Sequence, residues 1–156
     1  LSLIKKALNS NKKYTVIFED DITILSEDLN KDIIDIINKV NNFDIIYLGT
    51  LYDSKSTNIV DNIYKHNKLV PLHGTHAYII NNNSASKILN YIININNPFD
   101  IVLKKLIDED ILDAYVIYPS LVIQNNNFNS TLRPQYVIYA RILVQKIIKL
   151  FNLFKN

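Results

Sequence analysis

The sequence predicts an α/β domain with a mostly parallel central sheet flanked by helices. Two short β-branched and aromatic runs, "YTVIF" from Tyr14 and "FDIIYLG" from Phe43, have the length and composition of buried strands. Segments with apolar residues at helical spacing lie between such runs, and that alternation is the signature of the class. At 156 residues and 48% hydrophobic content, the chain is long and apolar enough for one real core.

Taken in order, "LSLIKKAL" spaces Leu1, Ile4 and Leu8 as one helix face. The strand Tyr14 to Phe18 follows and runs into Glu19, Asp20 and Asp21. Ser26 is expected to cap the next helix, with Glu27 and Asp28 in its first turn, where the helix dipole favours negative charge. Ile33, Ile36, Ile37 and Val40 form its apolar face. Gly49 ends the second strand, and the polar "TLYDSKSTNIVDN" reads as a mobile loop. "IYKHNKLVPLHGTHAYII" reads as one or two strands around a turn at Gly74. Ser84 is placed as the cap of "ASKILNYIININ", and Pro98 in the first turn of "PFDIVLKKLID". "AYVIYPSLVIQ" gives one or two short strands interrupted by Pro119, and "DEDILDAY" from Asp108 reads as a solvated helix end. After a polar loop, "QYVIYARILVQKIIKLFNLF" closes the chain as a long helix.

Composition narrows the function. A net charge of +2 gives no electrostatic case for nucleic acid. Without cysteine there is neither a disulfide framework nor a thiolate metal site. The chain contains no methionine, so Leu1 is no initiator and the expectation is a processed, excised or truncated chain. Lysines stand in "LSLIKKALNSNKK" where a signal peptide would have its apolar core. The abundance of asparagine, isoleucine and lysine fits AT-rich codon usage, and the asparagine-rich tracts read as loops.

The acids after the first strand are the chemical signal. Ligands of open α/β sheets sit beyond the carboxyl ends of strands, and Glu19, Asp20 and Asp21 stand at such an end. Carboxylates are hard ligands for Mg²⁺ or Mn²⁺, which would cancel their repulsion and leave room for a diphosphate. Metal-dependent phosphatases, nucleases and nucleotide-sugar transferases all place acids this way, and a solvated turn does too.

The surrounding segments discriminate. "VIFEDDITIL", "FDIIYLG", "HGTHAYIINNNSASKIL", "NPFD" and "YPSLVIQ" resemble glycosyltransferase family 25 in order and spacing, over residues 1 to about 130. This is the family of lipooligosaccharide and procollagen galactosyltransferases. The resemblance implies a GT-A-like fold and inverting transfer of a sugar, commonly galactose, from a UDP-sugar to a glycan or hydroxylysine acceptor. It implies that Glu19, Asp20 and Asp21 hold Mn²⁺ or Mg²⁺ against the UDP diphosphate, where the ion stabilises the leaving group. Asp100 matches the family acid and is the candidate base for the acceptor hydroxyl; its other reading is a first-turn acid complementing the helix dipole. Gly74, Thr75 and His76 match the "GTHAY" segment. Gly74 would let backbone approach the substrate, and His76 would donate to a phosphate or hydroxyl, or else be a packed histidine at a tight turn. His73 is a weaker candidate, and His66 reads as exposed. Gln124 would bond a sugar, or simply end a strand.

The resemblance also marks departures. Members of the family carry a further strand-helix-strand unit before this point, so an N-terminally truncated domain is expected over residues 1–134, and Leu3 stands where the family has histidine. The alternative to an enzyme is a non-catalytic or degenerate module without its donor pocket. Residues 135–156 form a broad apolar face interrupted by Arg141, Gln145, Lys149 and Asn152. That helix either packs on its own sheet or lies in a membrane interface, so a cytoplasmic or membrane-peripheral location is expected.

Overall fold

The computed structural model describes residues 2–72, 74–92 and 97–125. Helix α1 (Ser2–Leu8) leads into β1 (Tyr14–Phe18), β2 (Ile22–Ile24), α2 (Leu29–Lys39) and β3 (Ile45–Tyr47). Strands β4 (Lys55–Val60) and β5 (Ile63–His66) form a hairpin. They are followed by β6 (Ala77–Asn81), a 3-10 turn (Asn82–Ser84), α3 (Ala85–Ile92), α4 (Phe99–Asp108), β7 (Ala114–Ile117) and β8 (Val122–Gln124). Six strands pair in the order β1-β6-β3-β7-β5-β4, while β2 and β8 form a separate antiparallel pair.

The class is α/β as expected, but the sheet is mixed rather than mostly parallel. Among the described residues only β3 and β7 pair in parallel; β1–β6, β6–β3, β7–β5 and β5–β4 are antiparallel. The reason lies in the connections. A parallel neighbour needs a long crossover, usually a helix. Part of the segment read as a mobile loop is instead strand β4, which turns back through Asp61, at a φ of 48°, into β5. Strand β5 is antiparallel to β7 and β6 is antiparallel to β3, so β5 and β6 both run against the parallel pair. In turn β6 is antiparallel to both β1 and β3, and β7 is parallel to β3. Strands β1, β3 and β7 therefore end at one edge of the sheet, where β6 begins.

Alternation along the strands sorts the core into two layers. Ile45, Tyr47, Tyr78, Ile80, Ala114 and Val116 face one side, packed with residues of α1, α3 and α4. Ile46, Leu48, Ala77, Ile79 and Ile117 face the other, covered by Ile33 and Ile36 of α2 and by Val40 at its C-cap. Buried on both faces, β3 is an unbroken apolar run with all three residues at 0% exposure.

Several local expectations change. Asp28, not Ser26, caps α2 by accepting from the Lys31 amide at 3.1 Å. The Ser26 hydroxyl donates to Asp32 Oδ2 at 2.5 Å instead. Ser84 lies inside the 3-10 turn, and its hydroxyl is spent on Asp44 rather than on a cap. Pro98 is the N-cap position of α4, one residue earlier than expected. In α1 the buried pair is Ile4 and Ala7, while Leu8 is exposed. His66 is buried, at 3% exposure, because β5 carries it inward beneath the chain around Ser54. Among the described residues no helix is long and apolar enough to cross a membrane. The expected terminal helix, the boundary at 134/135 and His73 lie outside the described residues.

The tightest packing lies where β3 ends. A Cβ on Gly49 would stand 1.8 Å from the Val122 carbonyl oxygen and 2.9 Å from His76 Nε2. Backbone cannot give way as a flexible side chain can, so Gly49→Ala should cost about 1–3 kcal/mol as overpacking. At roughly 2–4 °C per kcal/mol for a domain of this size, thermal unfolding followed by circular dichroism should show a clear drop. An unchanged midpoint would show that β8 is not held against this glycine.

Candidate functional site

The main ladder stops where the acids begin. Glu19 makes the last bond of the β1–β6 pairing, its amide donating to the His76 carbonyl at 2.8 Å. Glu19, Asp20 and Asp21 then carry the chain from the main sheet to β2 of the small one. The acids thus occupy a short crossing between two sheets, at the edge where β1, β3 and β7 end.

Each acid is held differently. The Thr75 hydroxyl, 8% exposed, donates to Glu19 Oε1 at 3.0 Å. The Gln124 side-chain amide donates to Asp21 Oδ2 at 2.7 Å, while Asp21 Oδ1 is buried without a hydrogen bond. Asp20 is exposed. Burial of its carboxyl raises the Glu19 pKa; the Thr75 bond opposes this, and Asp21, Asp100 and Asp20 push it further up. Asp100 is therefore close enough for its charge to be felt at Glu19, although the two are far apart in sequence. It sits in the first turn of α4, and its carboxylate accepts from the Ile101 amide at 2.9 Å.

Two phenols that sequence reasoning did not single out lie within electrostatic reach of these acids. Tyr47 and Tyr78 are register partners on β3 and β6, with ring centroids 6.2 Å apart. Tyr47 is wholly buried, and its hydroxyl has no hydrogen bond. Burial first, then Tyr78 and Asp100, raise its pKa well above the ordinary range. Burial and then Glu19 do the same for Tyr78. Both are neutral phenols placed among carboxylates. Strand alternation shows that Tyr47 shares a face with Ile45, but only the pairing with Tyr78 reveals the cluster.

His76 is built into the edge. Its ring, 1% exposed, lies between the glycines: a Cβ on Gly49 would be 2.9 Å from Nε2, and one on Gly74 would be 2.9 Å from Nδ1. Gly74 also has a φ of +86°, a conformation open to glycine and strained for other residues. Neither ring nitrogen makes a hydrogen bond of ordinary geometry. Burial lowers the His76 pKa, while the Val122 carbonyl and the charge of Asp21 pull the other way. The structure thus brings Glu19, Asp21, Thr75, His76 and Gln124 together, and sets Asp100 within electrostatic reach.

Among the described residues, no three histidine or acidic side chains converge as a metal cage. Magnesium and manganese sites at phosphates often need only one or two carboxylates, with water and phosphate oxygens completing the shell. The unpartnered Oδ1 of Asp21 and the exposed carboxylate of Asp20 fit that donor chemistry.

A mixed α/β domain with oxygen donors gathered where co-directional strands end belongs to the class that binds ligands at that edge. The family model of glycosyltransferase family 25 (LPS biosynthesis protein) matches residues 1–103, a span that includes the acid turn, Gly74 to His76 and Asp100. The chain belongs to glycosyltransferase family 25, and membership implies glycosyltransferase activity. No curated protein matches the chain.

The electrostatics make a stability prediction. Folding raises the Glu19 pKa above its ordinary 4.5, so the stability this group confers is present below that pH and lost as pH rises through the folded value. Glu19→Gln should therefore be more stable than the native chain at about pH 7, with the advantage vanishing in acid. Urea midpoints at neutral pH and at pH 4 would show it. A variant equal to or weaker than the native chain at neutral pH would contradict the strained carboxylate.

Proposed function

We propose that this chain transfers a sugar, with galactose favoured, from a UDP-sugar to a glycan or hydroxylysine acceptor with inversion. The observation that carries the proposal is that a second acid, distant in sequence, lies within electrostatic reach of the acid turn. The turn from Glu19 to Asp21 ends β1, and the Asp100 charge acts on Glu19 from the start of α4. Inverting transfer asks for this division: one acidic group for the donor diphosphate and another for the acceptor proton.

Asp20 and Asp21 are the proposed ligands of Mn²⁺ or Mg²⁺, with Glu19 behind them, held by Thr75. The ion, when bound, supplies Lewis-acid stabilisation of the departing UDP. Gln124 fixes the Asp21 carboxylate through Oδ2 and leaves Oδ1 as the donor. Gly74, Thr75 and His76 shape the floor beneath the nucleotide sugar. Asp100 takes the acceptor hydroxyl proton as the glycosidic bond forms. The GT-A-like architecture and a membrane-peripheral contact through residues 135–156 belong to the same proposal; lipid-linked glycans would suit such a contact.

The separation of roles gives the test. Asp100→Asn should lower kcat by about 100-fold or more while leaving UDP-sugar affinity nearly unchanged, as expected for a general base. Single-turnover kinetics and calorimetry with UDP and Mn²⁺ would measure the two. Near-normal turnover would remove Asp100 from the chemistry. If UDP does not bind to the native chain, the non-catalytic module becomes the better reading.

A further inference from the structure

The opposite edge of the sheet holds a second polar site. There β5 ends, β3 and β7 begin, and α4 runs out, enclosing a cleft of about 300 Å³. Its walls include Asp110 to Ala114 of the segment "DEDILDAY", which plays no part in the acid edge. Asp44, Asp110 and Asp113 line it, and so do Lys65, Lys68 and Lys87.

The six charges are matched in pairs. Lys87 Nζ lies 2.9 Å from Asp44 Oδ1, Lys68 Nζ 2.5 Å from Asp110 Oδ1, and Lys65 pairs with Asp113. Asp44 is further fixed by the Ser84 hydroxyl and by the Asp113 amide at 2.7 Å. Lining the cleft is His66, 3% exposed, whose ring lies against the Ser54 backbone without a side-chain partner of ordinary hydrogen-bond geometry. Burial and then the Lys104 charge lower its pKa to about 4, so the ring is neutral and offers one donor and one acceptor.

Stability does not account for this construction. Partly exposed ion pairs contribute about 0–1 kcal/mol, and burying a polar imidazole with incomplete hydrogen bonding carries a cost of its own. Matched charges favour neither an anion nor a cation. They present fixed donors and acceptors side by side, and Ile107, Leu112 and Ala114 add an apolar wall. The pattern suits an uncharged ring bearing many hydroxyls, and the volume is at the small end for ligand pockets.

We infer that the cleft around His66, Asp44 and Asp113 is a second carbohydrate site, binding one neutral pyranose ring away from the acid edge. It does not depend on the transfer chemistry and would hold a glycan by a residue that does not react. Amide and imidazole NMR signals of the intact chain would be followed during titration with methyl β-galactopyranoside, methyl β-glucopyranoside and inorganic phosphate separately. At least one glycoside should shift His66, Asp113 and Ala114 saturably at millimolar concentration, in the native chain and in Asp21→Asn alike. Lys87→Gln, which removes the ion pair to Asp44 at the half-exposed mouth, should weaken that binding about tenfold, equivalent to roughly 1.4 kcal/mol. His66→Gln should weaken it too if the fold is kept. The site is overturned if neither glycoside shifts these signals, if phosphate alone does, if the shifts fall only at residues 19–21, or if Lys87→Gln binds as the native chain does.

Discussion

The imidazole of His76 stands in a slot between Gly49 and Gly74, the chain's two glycines. Through that slot the end of β3, the start of β6 and the start of β8 are brought into contact, because the Cβ missing from Gly49 would strike the Val122 carbonyl as well as the ring. The Glu19 amide is fastened to the His76 carbonyl on the same backbone. Packing of one neutral, buried ring therefore fixes where the main ladder stops and where the acids emerge. Side chains larger than hydrogen at either glycine would move the wall that holds them.

Against this rigid floor the site carries groups that cost stability. A half-sheltered carboxyl with three acids acting on it, an unpartnered Asp21 oxygen and an unpartnered Tyr47 hydroxyl all lie at one edge. Native folds satisfy nearly all buried polar atoms, so such exceptions ask for an explanation. For a member of a sugar-transfer family, a cation and a diphosphate at the acid turn would relieve the repulsion and use the Asp21 oxygen. The buried phenols add no further charge near Glu19 and Asp100, since burial holds both neutral.

Much of this was legible in the sequence. The strands β1 and β3, the helix face of Ile33, Ile36 and Val40, and the acids at a strand end follow from local periodicity and composition. Strand direction did not follow, because β4 is polar and exposed along most of its length and carries no hydrophobic alternation to announce it. Without β4 the chain looked like helices alternating with parallel strands. His66 was misread because its neighbours Lys65 and Asn67 are polar, while its burial comes from tertiary contacts around Ser54. The pairing of Tyr47 with Tyr78, and the role of both glycines in seating His76, depend on register between distant segments. No local pattern encodes that.

The central claim is that the turn after β1 is the metal and diphosphate site. Paramagnetic broadening by Mn²⁺ tests it directly, since the ion erases NMR signals of nearby nuclei. The account predicts that substoichiometric Mn²⁺ broadens the signals of Glu19, Asp20, Asp21, Thr75 and Gln124 first, and that UDP strengthens the effect and extends it to Asp100. Broadening centred instead on Asp108 to Asp113, or a pattern at the acid turn that UDP leaves unchanged, would contradict it.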